Sequence, residues 1–135
     1  MSYVLDTNAV SAIMTGEAKT VARLQSVSKS DVKVPQPVIA EIAYGIARLP
    51  RSKKKEALRA RLESIKLVLA RVDWTDAVSE AFGEIKSTLE RRGTRIEDFD
   101  AAIAAHALAH GAILVTANVD HMVRVPGLQI EDWSQ

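Results

Sequence analysis

Short apolar runs alternate along the chain with longer segments in which apolar residues recur every three or four positions. The short runs predict buried strands at residues 4–5, 32–34, 71–74, 112–115 and 128–130. The longer segments predict helices at 9–25 (interrupted near Gly16), in a hairpin over 36–69 broken at Pro50, and at 75–92, 98–110 and 119–123. This alternation predicts an α/β fold with a parallel sheet and right-handed crossovers.

Length and composition predict one domain spanning residues 1–135. Of the 135 residues, 47% are hydrophobic and 26% are charged, as in ordinary folded proteins. The absence of cysteine excludes disulfide scaffolds, thiolate zinc sites and cysteine nucleophiles. No apolar run approaches the roughly 20 residues that cross a membrane, and the amino-terminal stretch lacks the features of a signal peptide. We therefore expect a cytoplasmic protein with no membrane partner.

Basic residues are concentrated in one part of a chain whose net charge is only +1. Residues 48–66 include eight basic and two acidic side chains, and a second basic cluster lies at 91–95. Such patches attract phosphate groups, although a solvated helix face is the commoner explanation of a charge run. The candidate phosphate contacts are Arg51, Lys53, Lys54, Arg91 and Arg92.

Several acidic residues fall where parallel sheets gather functional groups, beyond the carboxyl ends of their strands. Asp6 ends the first strand, and Asp120 follows the strand at 112–115. Asp100 opens an apolar helix, and Glu41 interrupts another apolar helical stretch. Taken singly, each has a simpler explanation: a helix cap for Asp6 or Asp100, an arginine pair or solvent for Glu41, and an exposed turn for Asp120. Polar residues accompany the two strand ends, namely Thr7, Asn8, Thr116 and Asn118.

Carboxylates that converge in one crevice require protonation or a cation. Their oxygen atoms suit a hard divalent ion, Mg²⁺ or Mn²⁺. The histidines lack the spacing of a zinc site, and a structural role is expected for His106 and His110. Most of the six aromatic side chains are expected to pack in the core.

Five segments together resemble the PIN domain. They are V-L-D-T-N at 4–8, V-I-A-E-I at 38–42, D-A-A-I-A-A-H-A at 100–107, L-V-T-A-N at 114–118 and the tail R-V-P-G-L-Q-I-E-D-W at 124–133. The tail is most similar to the VapC-like toxin branch. The resemblance spans essentially the whole chain, and it is the ordered set rather than any single motif that makes it specific.

The resemblance implies a three-layer α/β/α domain with a central, mostly parallel sheet of four to five strands and a protruding helical hairpin. It also implies a metal-dependent endoribonuclease, the toxin of a type II toxin–antitoxin pair. Carried over by position, Asp6, Glu41 and Asp100 match the family's principal acids and metal ligands. Thr7, Asn8, Thr116 and Asn118 match its supporting polar positions. The implied partners are RNA, a VapB-like antitoxin whose tail lies along the hairpin and reaches the acids, and a second copy in a homodimer.

The sequence departs from the family pattern at its fourth acid. Relatives commonly place Asp or Glu three residues after the asparagine, followed by Phe, whereas this chain has His121 and Met122 there. Asp120 is the candidate substitute, and Asp98 is a second acid near Asp100.

Three alternatives remain open at this stage. A non-catalytic PIN-like module would bind nucleic acid or an antitoxin without cleavage. A DNA nuclease or phosphohydrolase would use the same acids. A response-regulator-like acceptor is disfavoured because no strand-end lysine has suitable spacing. The RNA target cannot be read from the sequence.

Overall fold

The computed structural model describes all 135 residues and contains one five-stranded sheet. The strands are β1 (Tyr3–Leu5), β2 (Val32–Pro35), β3 (Ala70–Val72), β4 (Ile113–Val115) and β5 (Ile130–Glu131). Their order across the sheet is β3-β2-β1-β4-β5, and every neighbouring pair is parallel. The expected mostly parallel sheet is therefore entirely parallel, with β1 at its centre.

Seven helices connect and flank these strands. They are α1 (Thr7–Met14), α2 (Ala18–Gln25), α3 (Gln36–Ala47), α4 (Lys53–Val68), α5 (Asp76–Arg91), α6 (Asp98–Ala109) and α7 (Val119–Met122). Helices α3 and α4 form the expected hairpin, and α4 buries only Leu62 and Ile65. None of the helices is long and apolar enough to span a membrane.

Local sequence explains where several helices begin and end. Ser52 and Thr75 cap α4 and α5 by accepting backbone amide hydrogens with their hydroxyl groups. Gly93 ends α5 with a φ of +67°, a conformation that costs glycine little. Gly16, at φ +76°, separates α1 from α2 and accounts for the predicted interruption.

The core is one cluster of 29 buried apolar residues. Helix α6 contributes five of these residues, and its residues 101–107 are all buried. Alanine side chains dominate that run, so α6 packs closely against the sheet and against α5. This burial fixes the start of α6, and with it Asp100, relative to the carboxyl end of β1.

Several predicted boundaries were wrong by a few residues. The first helix begins at Thr7 rather than at residue 9, because Asp6 caps it directly. The third strand covers 70–72 rather than 71–74, since its pairing with β2 ends at Val72. The fifth strand covers 130–131 rather than 128–130, because only those residues pair with β4.

The prediction that most aromatic side chains lie in the core was also wrong. Trp133 is buried, but Tyr44, Trp74 and Phe99 are exposed. Trp74 and Phe99 line an apolar depression of about 460 Å³ between α3, α5 and α6. These three side chains have no apolar element of the same chain to cover them.

His106 has the structural role that was expected for it. Its side chain is fully buried, and Nδ1 lies 2.7 Å from the carbonyl oxygen of Ala102. A carbonyl only accepts hydrogen bonds, so Nδ1 carries the hydrogen. Burial lowers the pKa of His106, which keeps the ring neutral.

We expect the core beneath the acidic residues to carry much of the stability. Ile103→Ala removes a fully buried side chain of α6 and should lower the free energy of unfolding by about 2–5 kcal/mol. Leu67→Ala, at a position that is 89% exposed, is the matched control and should change it by less than about 0.5 kcal/mol. Urea denaturation measures both, and equal effects would contradict this description of the core.

Candidate active site

Asp6 lies at the carboxyl end of the central strand. Its backbone N–H donates to the carbonyl of Val115, 3.1 Å away, which joins the ends of β1 and β4. Its side chain caps α1 by accepting the N–H of Ala9 at 2.8 Å. The side chain is almost completely buried. The capping explanation is therefore correct for Asp6, but it uses only part of the carboxylate's hydrogen-bonding capacity.

The surroundings of Asp6 disfavour its negative charge. Burial raises the pKa of Asp6 above its ordinary value, and the charges of Asp100 and Glu41 raise it further. Hydrogen bonding by the Thr116 hydroxyl and the Ala9 amide acts in the opposite direction without cancelling the rise. Asp6, Glu41 and Asp100 therefore lie close enough for their charges to interact.

Glu41 reaches this site from the middle of α3. The hydroxyl of Thr7, the first residue of α1, donates to Oε1 of Glu41. This bond ties α3 to the helix that Asp6 caps. Glu41 is half-buried and forms neither the arginine pair nor the fully exposed position considered from the sequence.

Asp100 reaches the site from the first turn of α6. Burial raises the pKa of Asp100, and the nearby charges of Glu41 and Glu97 add to that effect, whereas His121 opposes it. The side chain of Asp100 makes no hydrogen bond or ion pair within the chain. It is half-buried, so both of its oxygen atoms remain available.

No lysine or arginine forms an ion pair with these three acids. The ion pairs of the structure join Arg23 to Glu131, Lys66 to Glu63 and Lys86 to Asp98, all outside the site. The site thus collects three carboxyl groups that repel one another and lack an internal counter-ion.

The supporting polar residues differ in how they contact the site. Thr116 is buried, and its hydroxyl accepts the N–H of Asn118 at 2.9 Å. The Asn118 amide nitrogen in turn donates to Nδ1 of His121 at 2.9 Å. Asn8 is exposed, and its side chain makes no hydrogen bond within the chain. His121 was not predicted to be a site residue. In the sequence it stood out only because it occupies the position where relatives commonly have the fourth acid.

Two further acids lie apart from these contacts. Asp120 is exposed and forms no ion pair, and its charge is not among those that act on Asp6 or Asp100. Its role as the fourth acid stays a prediction. Asp98 points to Lys86 of α5, with Oδ1 3.2 Å from Nζ.

A groove of about 360 Å³ lies beside the acids, between α1, α3 and α4. Thr7 and Glu41 line it on one side, and Lys54 and Leu58 line it on the other. Arg51 and Lys53 are exposed near the same end of α4. Arg91 and Arg92 are exposed at the end of α5, where the Arg91 guanidinium donates to Ser87 on its own helix. Among the five candidate phosphate contacts, Lys54 therefore shares a surface with Glu41.

The chemistry of the donor set fits a hard divalent cation. Its atoms are carboxylate oxygens, and the pKa values of Asp6 and Asp100 are raised first by burial and then by the neighbouring acids. No group of three or more carboxylate or imidazole side chains is arranged so that it could hold a metal ion by itself. Magnesium commonly retains water ligands and uses only one or two protein carboxylates together with substrate phosphates. Carboxyl groups that occupy only part of the coordination sphere are compatible with this way of binding magnesium.

Comparison with known proteins identifies the family to which the chain belongs. The PIN domain model matches residues 3–128. Ribonuclease VapC2 of Rickettsia felis is 34% identical over 137 residues, which cover all of both chains. The tRNA(fMet)-specific endonuclease VapC of Salmonella typhimurium is 26% identical, with 98% of each chain covered.

Solved structures agree with this assignment. VapBC2 from Rickettsia felis, bound to a DNA fragment from the promoter, contains a chain with a TM-score of 0.88 and 31% identity, covering 98% of this chain and 99% of that one. DNA-bound VapBC from Salmonella typhimurium gives a TM-score of 0.87 and 28% identity, with 98% of each chain covered. The fold, the ordered motifs and these relatives agree, and the chain belongs to the PIN-domain family, in its VapC branch.

Proposed function

We propose that the protein is an endoribonuclease that hydrolyses RNA phosphodiesters as the toxin of a VapBC-type pair. The observation that carries this proposal is the convergence of Asp6, Glu41 and Asp100 without a side-chain cation. The relatives named as ribonucleases and endonucleases support the reaction class and cover nearly the whole chain.

Asp6 and Asp100 would hold Mg²⁺ or Mn²⁺, with Glu41 as a further ligand or a ligand to its water. When bound, the ion supplies a Lewis acid that activates water and neutralises charge on the phosphate. Thr7 occupies one oxygen of Glu41 and fixes the carboxylate. The other oxygen orients the attacking water and accepts its proton. Hydrogen bonding by Thr116 favours the charged form of Asp6. The backbone N–H of Asn118 donates to the Thr116 hydroxyl and so stabilises the loop that follows β4.

Transfer RNA is the substrate to test first, because one relative is named for cleavage of tRNA(fMet). Lys54 contacts backbone phosphates beside the acids, and Arg51 and Lys53 extend that basic surface along α4. Arg91 and Arg92 would make more distant contacts. Backbone contacts contribute affinity and position the substrate but do not read its bases.

A VapB-like antitoxin is the proposed protein partner, because the VapBC structures of relatives cover 98% of this chain. The groove between α1, α3 and α4 gives its tail a route along the hairpin to Glu41. Apolar walls at Ile42, Ile46 and Leu58 suit an amphipathic segment. Homodimerisation and a cytoplasmic location stay predictions.

Substitution of the two principal acids tests the catalytic assignment. Asp6→Asn and Asp100→Asn should each abolish cleavage of initiator tRNA, because they remove a charge needed to hold the ion. Asp98→Asn, two residues from Asp100 but paired with Lys86, is the matched control and should retain activity. Circular dichroism checks the fold. Full activity in either acid variant would remove that residue from the mechanism, and cleavage of DNA but not RNA would favour the alternative nuclease.

Divalent cations should stabilise the wild-type protein before any substrate is added. Binding to the folded state raises stability, by about 2.7 kcal/mol when the ion is at 100 times its Kd. A melting curve should therefore shift upward with Mg²⁺ or Mn²⁺, and the shift should disappear in Asp6→Asn. An equal shift in both proteins would place the ion elsewhere, and no shift in the wild type would argue for the non-catalytic module.

Burial of the acids, together with the repulsion among them, predicts an unusual dependence of stability on pH in the metal-free protein. The pKa values of Asp6 and Asp100 are raised in the folded state, so the folded chain binds more protons than the unfolded chain between the ordinary and raised values. The contribution of these groups to stability therefore falls as pH rises through that window. Asp6→Asn should reduce this fall, as measured by urea denaturation at successive pH values. An unchanged pH profile would contradict the assignment.

A further inference from the structure

His121 occupies a defined place in the network that surrounds the acids. It lies in the single turn of α7, directly after the loop that follows β4. A chain of hydrogen bonds leads to it from the end of β4, which Asp6 contacts through its backbone N–H. The Thr116 hydroxyl accepts the N–H of Asn118, and the Asn118 side chain donates to the ring. The exposed imidazole is also close enough to Asp100 to lower the pKa of that carboxyl group. His121 therefore borders the site on the side of Asp100.

The contact with Asn118 determines which hydrogen-bonding group the ring offers to solvent. The side-chain amide nitrogen of Asn118 lies 2.9 Å from Nδ1 of His121. An amide nitrogen donates and does not accept, so Nδ1 is the acceptor and the neutral ring carries its hydrogen on Nε2. Nε2 makes no hydrogen bond within the chain and its residue is exposed. The ring thus presents a free N–H donor at the border of a negatively charged site.

A hydrogen-bond donor at the border of the acidic site can bind the phosphate oxygens of a substrate. The three acids bind a cation but repel the phosphate oxygens of a substrate, and the structure places no arginine or lysine in an ion pair with them. Lys54 lines the groove that Glu41 also lines, and neither Asp100 nor α7 belongs to that groove. An imidazole N–H beside Asp100 supplies a donor where the acids supply only acceptors.

We propose that His121 is a substrate-binding residue, held by Asn118 so that its Nε2–H donates to a phosphate oxygen of the RNA beside Asp100. This inference rests on the proposed function, since it names a contact to that enzyme's substrate. Asn118 is a positioning residue in this arrangement, because it acts on the substrate through the ring of His121. The role differs in kind from that of a fourth acid, because an N–H donor binds the substrate whereas a carboxylate would bind the ion.

Binding of uncleaved RNA tests the contact directly. Asp6→Asn serves as the background for every protein, and initiator tRNA is the probe. Adding His121→Ala should raise the Kd about tenfold, in the range of a lost hydrogen bond to a charged group. His121→Gln retains a side-chain N–H donor and should restore most of the affinity. His110→Ala, at an exposed histidine hydrogen-bonded to the Asp73 carbonyl, is the control and should leave the Kd unchanged.

The positioning role of Asn118 is tested by a double-mutant cycle in the same background. Asn118→Ala should weaken binding in the presence of His121 but have little further effect once His121 is alanine. Additive losses would show that Asn118 acts independently of the ring and would overturn that part of the proposal. Melting temperatures of all the variants exclude a general loss of folding.

Cleavage kinetics separate failure of this inference from failure of the proposed function. In the wild-type background, His121→Ala should raise the KM about tenfold, in proportion to the loss of binding. Wild-type cleavage with an unchanged KM and Kd in His121→Ala would overturn the role of His121 and leave the enzyme proposal intact. Absence of both cleavage by the wild type and binding by Asp6→Asn would overturn both.

Discussion

Negative charge without an internal counter-ion is the constraint on which this site depends. Asp6 is almost completely buried, and Glu41 and Asp100 lie close enough to raise its pKa further. Burial of a charge is costly unless the charge is paired, and no lysine or arginine of the chain pairs with these acids. The folded protein therefore contains an electrostatic strain that either protons or a cation would relieve. Catalytic sites commonly hold titratable groups in such an unfavourable state.

The fold accounts for how these groups are held together despite their repulsion. Asp6 follows the central strand and caps α1, so the same residue ends one element and begins the next. Helix α6 is buried on all sides over residues 101–107, which fixes Asp100 at its first turn. The Thr7 hydroxyl holds Glu41 from a different helix. Packing of the apolar core beneath the acids thus stabilises an arrangement that electrostatics alone would disperse.

The sequence predicted the order of helices and strands because the pattern of apolar residues that marks each element lies within that element. Val4 and Leu5 before Asp6, the alanine-rich run after Asp100 and the glycines at 16 and 93 determine elements through their immediate neighbours. The limits of β3 and β5 were wrong because pairing with the adjacent strand sets them. The exposure of Trp74 and Phe99 was missed for a related reason, since hydrophobicity alone does not show whether the chain has another surface to cover a side chain.

The candidate site shows the same division between local and long-range information. Asp6, Glu41 and Asp100 could be selected from motifs in three separate segments, but their mutual effect on pKa values depends on the folded chain. The hydrogen bond between Asn118 and His121 joins residues only three apart, yet sequence spacing does not reveal that His121 lies close enough to Asp100 to lower its pKa. Asp120 looked equivalent in sequence, but it is exposed and is not among the groups that raise the pKa of Asp6 or Asp100.

We propose that a divalent cation relieves the repulsion among the three acids. Anomalous diffraction from a crystal soaked in Mn²⁺ tests it most directly, because the metal's position is observed without reference to activity. We expect a peak within coordination distance of the carboxylate oxygens of Asp6 and Asp100. A well-ordered site without such a peak, or manganese bound only at other residues, would contradict it.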